Sequence, residues 1–359
     1  MKILISPRHL ELRLLHLLLI VLTVATYLPP IVHPQTFWPI STLGLIAPLC
    51  WFMVLLFGVY WLFRRDKAVF LSIITLLLGW DMITNAYAVS PLSSNPPEDV
   101  LVIASLNGHI FRRDKGEDAP TFNQRVAAYF KALDADIVLV QEFQTRSNKA
   151  PYLVKAIRQN ADFPHVYSKV GESLAIFSRY PLSNEQPIYF KNRGNGFLCA
   201  DVQTPQGTVR VFNIHLQTNA ISTLANEVTT TGNLREKSTW QKIKTMFGRY
   251  GRSNKVRTAQ AEQILSAISK SPHPVLAGGD FNDIPTSYLY HAFRERLQDA
   301  HLAGSWGLGS TYKGLLPGLR IDYLLPDQHF QIQDFERRDC PFSDHQAVLS
   351  TMSLDNGSR

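Results

Sequence analysis

Charge and cysteine are both scarce in this chain of 359 residues. Asp, Glu, Lys and Arg make up 18% of it, against roughly 25% in soluble globular domains. The three cysteines, Cys50, Cys199 and Cys340, stand in no metal-ligand spacing. That excludes a zinc ribbon and a small disulfide-stapled scaffold. Unpaired thiols are the expectation for Cys199 and Cys340; pairing in an oxidising compartment is the alternative. No Gly-rich phosphate loop and no Ser–His–acid signature occurs, and there is no internal repeat or low-complexity tract.

The missing charge is missing mainly from one end. Residues 1–90 hold nine charged side chains, and the remainder holds 56, of which 30 are basic and 26 acidic. A whole-chain net charge of +7 is thus a weak pointer to nucleic acid. Three apolar runs fill the first quarter: roughly Leu14–Leu28, Phe37–Phe63 and Ala68–Val89, the last interrupted by Asp81 and Asn85. A spanning helix needs ~20 apolar residues. The second run clears that, the third does so marginally, and the first is short unless it extends back through Leu10. A cleaved signal peptide is the competing reading of the first run, but "TYLPP" offers no small-residue cleavage site. About three transmembrane helices are therefore expected, with the lipid bilayer as a partner.

Basic residues in short loops set the orientation. Lys2, Arg8 and Arg13 mark the N-terminus, and "RRDK" the loop after the second run. The segments "PPIVHPQT" and "SPLSSNPPED" carry no Lys or Arg. This predicts a multi-pass protein of the cytoplasmic (inner) membrane with its soluble domain on the periplasmic or extracytoplasmic side. Asp81 within a run is a functional candidate by default, although a carboxylate near the outer interface, or one bonded to a neighbouring helix, is the expected reading. The expected organisation is an anchor at 1–89, a linker at 90–99 and a soluble domain at 100–354.

Within the soluble domain, strand-length apolar runs at 100–106, 136–142, 164–169, 174–178, 197–204, 208–214, 274–279, 321–325 and 346–352 are punctuated by few helices. The spacing predicts helices over 121–134 and 255–269 and one starting at Pro285. Many strands with few crossover helices predict two packed sheets flanked by helices.

Six of these strands end in groups capable of chemistry: Asn107 in "IASLN", Glu142 in "VLVQE", His215 in "RVFNIH", Asp280 and Asn282 in "VLAGGDFND", Asp322 in "RIDYLL", and Asp344 and His345 in "FSDHQAV". Oxygen donors dominate, so the implied cation is hard: Mg2+ first, Mn2+ next. A hard cation beside histidines suits hydrolysis of a phosphate ester.

In order and in content, the segments "QE", "GGDFND" and "SDHQAV" resemble those of the endonuclease/exonuclease/phosphatase superfamily, the DNase I-like fold, in a membrane-anchored bacterial branch. The resemblance spans residues 100–352. It implies a four-layered α/β sandwich, two sheets between helices, with the site at one edge. It implies that Glu142 binds the metal with help from Asn107 and support from Asp344, and that Asp280 and Asn282 position the water and the phosphate. His345, oriented by Asp322, and His215 would move protons or bind phosphate, and Glu172 in "GESLAIF" would be the carboxylate partner of His215. The implied substrate is a phosphodiester, of nucleic acid or of a phospholipid or inositol-phosphate headgroup; a non-catalytic binding module on the same fold is the rival. No obligate protein partner is implied.

Several residues have structural readings beside these. Asp283, just before Ile284-Pro285, is expected to cap the following helix. Thr311 and Tyr312 either line the cleft or form a turn. Residues 235–257 carry eight Lys or Arg against one acid, Glu236, with Leu234, Trp240, Ile243, Phe247 and Tyr250 at helical spacing. This basic amphipathic helix would pack on the domain, lie on anionic lipid or contact a polyanion. Arg257, Gln260 and Gln263 are expected to brace the His215 strand.

Overall fold

The computed structural model describes residues 7–90, 99–111, 113–143, 150–169, 171–191, 194–218, 228, 232–233, 235–314 and 318–355. Most of the expected linker, 91–98, lies outside them, as does Leu234.

Two mixed sheets form the centre of the soluble part. One has the order β12-β13-β2-β3-β5-β4 and the other β11-β9-β8-β7-β6. The first comprises β2 (Leu101–Asn107), β3 (Ile137–Gln141), β4 (His165–Tyr167), β5 (Ala175–Ser178), β12 (Phe330–Asp339) and β13 (Gln346–Leu354). The second comprises β6 (Leu182–Tyr189), β7 (Gly196–Thr204), β8 (Gly207–His215), β9 (Val275–Asp280) and β11 (Asp322–Pro326). The central strands are buried on both faces, which is why they read as unbroken apolar runs. Between the sheets pack Ile103, Leu139, Ile176, Leu198, Val211, Leu276, Leu324 and Val348.

Helices α6 (Ala119–Leu133) and α7 (Ala150–Asn160) cover the first sheet through Val126, Phe130, Leu153 and Ile157. Asp118 caps α6 by accepting from Thr121 N at 2.7 Å. Helices α8 (Lys237–Ile268) and α9 (Tyr288–Arg294) cover the second sheet through Ile264 and Phe293. The result is helix, sheet, sheet, helix: the four layers expected. A short helix, α10 (Ala300–Gly304), follows, and a two-residue pair joins β1 (Ala88–Val89) to β10 (Trp306–Gly307).

Polarity within the sheet carries the site. β2 and β3 run parallel, as do β8 and β9, so the C-terminal ends of each pair fall together. β13 is antiparallel to β2 and β11 antiparallel to β9, so both begin where their neighbours end. Register then sets His215 and Asp322 each opposite Asp280.

The N-terminal part differs from expectation. It holds α1 (Pro7–Ala25), α2 (Pro34–Phe37), a 3-10 segment (Trp38–Ile46), α3 (Ala47–Phe63), α4 (Val69–Leu78) and α5 (Trp80–Ala86). Among the described residues, one helical stretch, Pro34–Phe63, is long and apolar enough to cross a membrane, with a mean hydropathy of 2.2. α4 and α5 qualify only together, and they are bent by 66° at Gly79. Arg8, Glu11 and Arg13 keep α1 from qualifying. The expectation of about three spanning helices is therefore corrected to one, with a bent second candidate.

This bundle reverses the polarity of a water-soluble one. His16 is buried, donating Nε2–H to Ser72 Oγ at 2.9 Å and accepting at Nδ1 from Trp61 Nε1 at 3.0 Å. Leu14, Leu18, Phe52, Leu62, Phe70 and Leu77 are exposed. Polar groups inside and apolar groups outside are what a lipid surrounding selects.

The bundle is docked on the two-sheet part of the chain. Thr286 Oγ1 donates to Gly44 O at 3.0 Å, and Arg320 Nη2 donates to Asn85 O at 2.8 Å. Trp38 lies so close to Gly251 that a Cβ there would stand 2.0 Å from the indole.

Candidate active site

Strand ends and the turns after them deliver each group. Glu142 follows β3 in the left-handed region (φ 48°), and Asn282 follows β9 in the same region (φ 53°). Such conformations cost ~1 kcal/mol or more for residues with a Cβ, and they turn both side chains into the shared edge. Gly279 supplies the other special geometry. At φ 144° its Cα faces the β8 backbone, where a Cβ would fall 1.9 Å from Ile214 O.

Asp280 is the hub. It is buried, and three N–H groups reach it: Asn107 Nδ2 to Oδ2 at 2.9 Å, Asn282 Nδ2 to Oδ2 at 3.1 Å, and Asn282 N to Oδ1 at 2.8 Å. Burial, and then the neighbouring Asp322, push its carboxyl above the ordinary range. Asp322 holds His345, whose Nδ1 lies 2.9 Å from Oδ2 and 3.1 Å from Oδ1. Burial opposes charge on that imidazole, but Asp322, Asp280 and Asp344 together outweigh it and push its pKa up to about 10.

His215 lies between the hub and Glu142. Its Nδ1–H donates to Gly194 O at 2.9 Å, which fixes the tautomer and leaves Nε2 as a lone pair. Nε2 is buried without a hydrogen-bond partner, 3.6 Å from Glu142 Oε1 and 3.8 Å from Asp280 Oδ2. Two carboxylate oxygens thus flank the Nε2 lone pair with no donor among the three atoms. A cation or an added proton relieves that arrangement, and two hard oxygens with one imidazole are a donor set that suits Mg2+ or Mn2+.

The metal set expected from the sequence, Glu142, Asn107 and Asp344, is only partly assembled. Glu142 faces the convergence. Asn107 turns its Nδ2 to Asp280 and accepts at Oδ1 from His109 N at 2.9 Å. Asp344 is bonded to the His109 ring. His109 is the group that sequence reasoning missed; its place two residues after Asn107 was the only signal. Among the described residues the compact trio is Asp280, Asp322 and His345, with ligand atoms within 4.8 Å of one another, but His345 Nδ1 and the Asp322 carboxylate already bond each other.

Glu172 does not partner His215: its Oε2 accepts from Tyr167 OH at 3.1 Å, and the backbone of Gly194 takes its place. Asp283 caps no helix; Ser287 caps α9, which starts at Tyr288, three residues after Pro285. Asp283 instead accepts from Tyr250 OH at 2.7 Å and lies 3.4 Å from Arg257 Nε, fastening α8 beside the site. Asn282 Nδ2 is engaged by Leu216 O and Asp280, so it holds the hub rather than facing outward.

Other supports match the reading of the sequence. Arg257 Nη1 donates to Gln217 O at 3.2 Å, and Gln260 Oε1 accepts from Gln217 N at 2.9 Å, bracing the chain after His215. Thr311 Oγ1 accepts from Ile321 N and Asp322 N, and the Tyr312 ring stands edge-on to His345 with centroids 5.3 Å apart. All three cysteines are free and buried. The basic stretch is the first half of α8, but its aromatic face is split: Tyr250 is buried, whereas Trp240 and Phe247 are exposed.

A family model described as the Endonuclease/Exonuclease/phosphatase family matches residues 104–345. A second, a domain of unknown function (DUF8431), matches residues 9–86. Comparison with curated proteins finds no match. Among solved structures, the endonuclease/exonuclease/phosphatase from Beutenbergia cavernae DSM 12333 is 17% identical with a TM-score of 0.50, over 71% of this chain and 72% of that one. A family protein from Leptotrichia buccalis C-1013-b is 14% identical (TM-score 0.48, 71% and 100% covered). A truncated TDP2 from Caenorhabditis elegans is 16% identical (TM-score 0.47, 70% and 97% covered).

Proposed function

From its place in the endonuclease/exonuclease/phosphatase family, to which this chain belongs, we propose that it is a membrane-embedded phosphoesterase, dependent on a divalent cation, that hydrolyses phosphodiester bonds outside the cytoplasm. The observation that carries this reading is the approach of Glu142 Oε1 and Asp280 Oδ2, from either side, to the unpartnered Nε2 of His215.

Glu142 would hold the cation, with His215 and the Asn107 amide oxygen beside it. Bound there, a divalent cation offsets charge on the non-bridging and leaving oxygens of the phosphate. Asp280 accepts the proton of the attacking water, its raised affinity for protons suiting a general base. Asn107 and Asn282 hold its carboxylate in place. His345, steadied at Nδ1 by Asp322, presents its Nε2 side to the phosphate and stabilises charge there. The His345 imidazolium, whose hold on its proton is strengthened by Asp322, donates from its Nε2 side to the leaving oxygen as the P–O bond breaks, while Asp280 takes the proton of the water.

Substrate class rests on chemistry shared by nucleic acids and phospholipids. The family label favours a nuclease-like activity. The docking of the catalytic half on an apolar bundle favours the phospholipid headgroup as the second reading. For topology, Arg64, Arg65 and Lys67 follow the end of α3, while its start adjoins the docked domain. Seventeen helical residues separate the two ends, ~25 Å of rise. The basic end facing the cytoplasm puts the catalytic half outside. A reporter fused after Arg359 should be active only outside the cytoplasm; a cytoplasmic readout reverses the topology.

A panel of bis(4-nitrophenyl) phosphate, single-stranded DNA, RNA and phospholipid vesicles, each with Mg2+ or chelator, tests the activity on the full chain in detergent. Cation-dependent cleavage of a diester is expected. Binding without cleavage of any of them would favour the non-catalytic module.

A further inference from the structure

Where the N-terminal bundle meets the catalytic half, a cleft of about 490 Å³ opens between the α4–α5 bend and α9. Part of its lining is apolar, with Ile31 and Leu78. Another part is charged, with Asp81, His291, Arg294 and Glu295. Ile31 and Leu78 are 75% and 68% exposed, and Trp80 next to them 60%. The apolar side is thus continuous with the outer surface of the bundle.

The charged side mixes signs. Asp81 Oδ2 accepts from Asn85 Nδ2 at 3.1 Å and lies 3.9 Å from His291 Nδ1. Arg294 donates Nη1–H to Leu297 O at 2.7 Å, but its Nε and the His291 Nε2 are buried without a hydrogen-bond partner. One guanidinium, one imidazole and two carboxylates therefore share a small cleft whose open side is greasy. A purely anionic headgroup would set its phosphate beside two uncompensated carboxylates, and a cation alone would leave the arginine unmatched. A headgroup carrying both signs satisfies both.

We infer that this cleft binds the headgroup of a zwitterionic aminophospholipid, with the phosphate on Arg294 and His291, the ammonium toward Asp81 and Glu295, and the acyl chains along Ile31 and Leu78. The inference rests on the membrane-embedded reading of the bundle and is independent of the phosphoesterase reading. The bound lipid would tie α9 to the membrane at a fixed height.

The test uses the full chain, purified in detergent and given phosphatidylethanolamine or phosphatidylglycerol, with retained lipid counted by native mass spectrometry. Phosphatidylethanolamine should be retained in preference. Arg294→Gln and Glu295→Gln should each weaken that retention about tenfold, in line with losing one charge-assisted bond. Both variants should keep the parent's thermal unfolding midpoint, which shows that they fold. Equal retention of the two lipids, or variants that retain phosphatidylethanolamine like the parent, overturns the site. Release of the chain from membranes by alkaline carbonate without detergent overturns the embedded reading, and the site with it.

Discussion

Gln141 and Asn213 tie the two sheets together beneath the site. Gln141, on β3, donates Nε2–H to Asn213 Oδ1 on β8 at 2.7 Å, and Asn213 Nδ2 donates back to Val140 O and Ala175 O at 2.9 Å. Glu142 is the next residue after Gln141, and His215 lies two after Asn213. The bridge therefore fixes the separation of the two groups that face each other across the convergence.

Asn213→Ala leaves two buried carbonyls, Val140 O and Ala175 O, without this donor and removes one of the acceptors of Gln141 Nε2. A loss of ~2–4 kcal/mol is expected, at ~1–3 kcal/mol for each unsatisfied group with partial relaxation. Denaturant titration measures it. A loss below ~0.5 kcal/mol with unchanged activity would show that the bridge is incidental.

Gly279→Ala places a Cβ against Ile214 O in a backbone region that L-residues avoid. The β8–β9 ladder must open, carrying Asp280 with it. Destabilisation of ~3 kcal/mol or more is expected, together with loss of hydrolysis. A stable, active Gly279→Ala protein would contradict the register.

His301 supplies a pH dependence away from the reacting groups. It is buried and donates Nε2–H to Gly307 O at 3.0 Å. Burial, then the Arg320 charge, lower its pKa from 6.5 to about 4. The unfolded chain therefore binds the proton first. The stability is fully present above pH 6.5 and is lost as pH falls toward 4, by up to ~3 kcal/mol. Thermal unfolding between pH 7.5 and 4.5 should show this slope, and His301→Gln should flatten it. An unchanged slope in the variant would assign the dependence elsewhere.

Asp322→Asn removes the charge that steadies His345 while preserving shape. A fall in hydrolysis of about 10²–10⁴ is expected, by analogy with other carboxylate-oriented histidines. A variant with near-parental rates would leave His345 without a role in the reaction.

Much of this architecture is legible in the sequence because central strands are buried on both faces and end in polar residues at the site. The edges are not. β6 (Leu182–Tyr189) contains Pro187 and alternates weakly, and β12 (Phe330–Asp339) carries five charges and a bulge between Ile332 and Asp334; polar, irregular edge strands resist unwanted pairing and lose their pattern in doing so. Helix α8 hid its length because its basic half and its apolar half read as two segments. Site membership was visible in residue types, but partners were not. Glu172 and Asp283 are ordinary acids in sequence, and only the fold sends one to Tyr167 and the other to Tyr250 and Arg257. His109 escaped notice because its ring is aligned by a loop whose three consecutive residues, His109 to Phe111, take positive φ.

The most direct test of the central claim compares bis(4-nitrophenyl) phosphate hydrolysis by the full chain and by Glu142→Gln, with Mg2+, with chelator, and with Mn2+ restored. The account predicts cation-dependent hydrolysis that falls by ~10² or more in the variant. Hydrolysis indifferent to chelation, or a Glu142→Gln protein as fast as the parent, would contradict it.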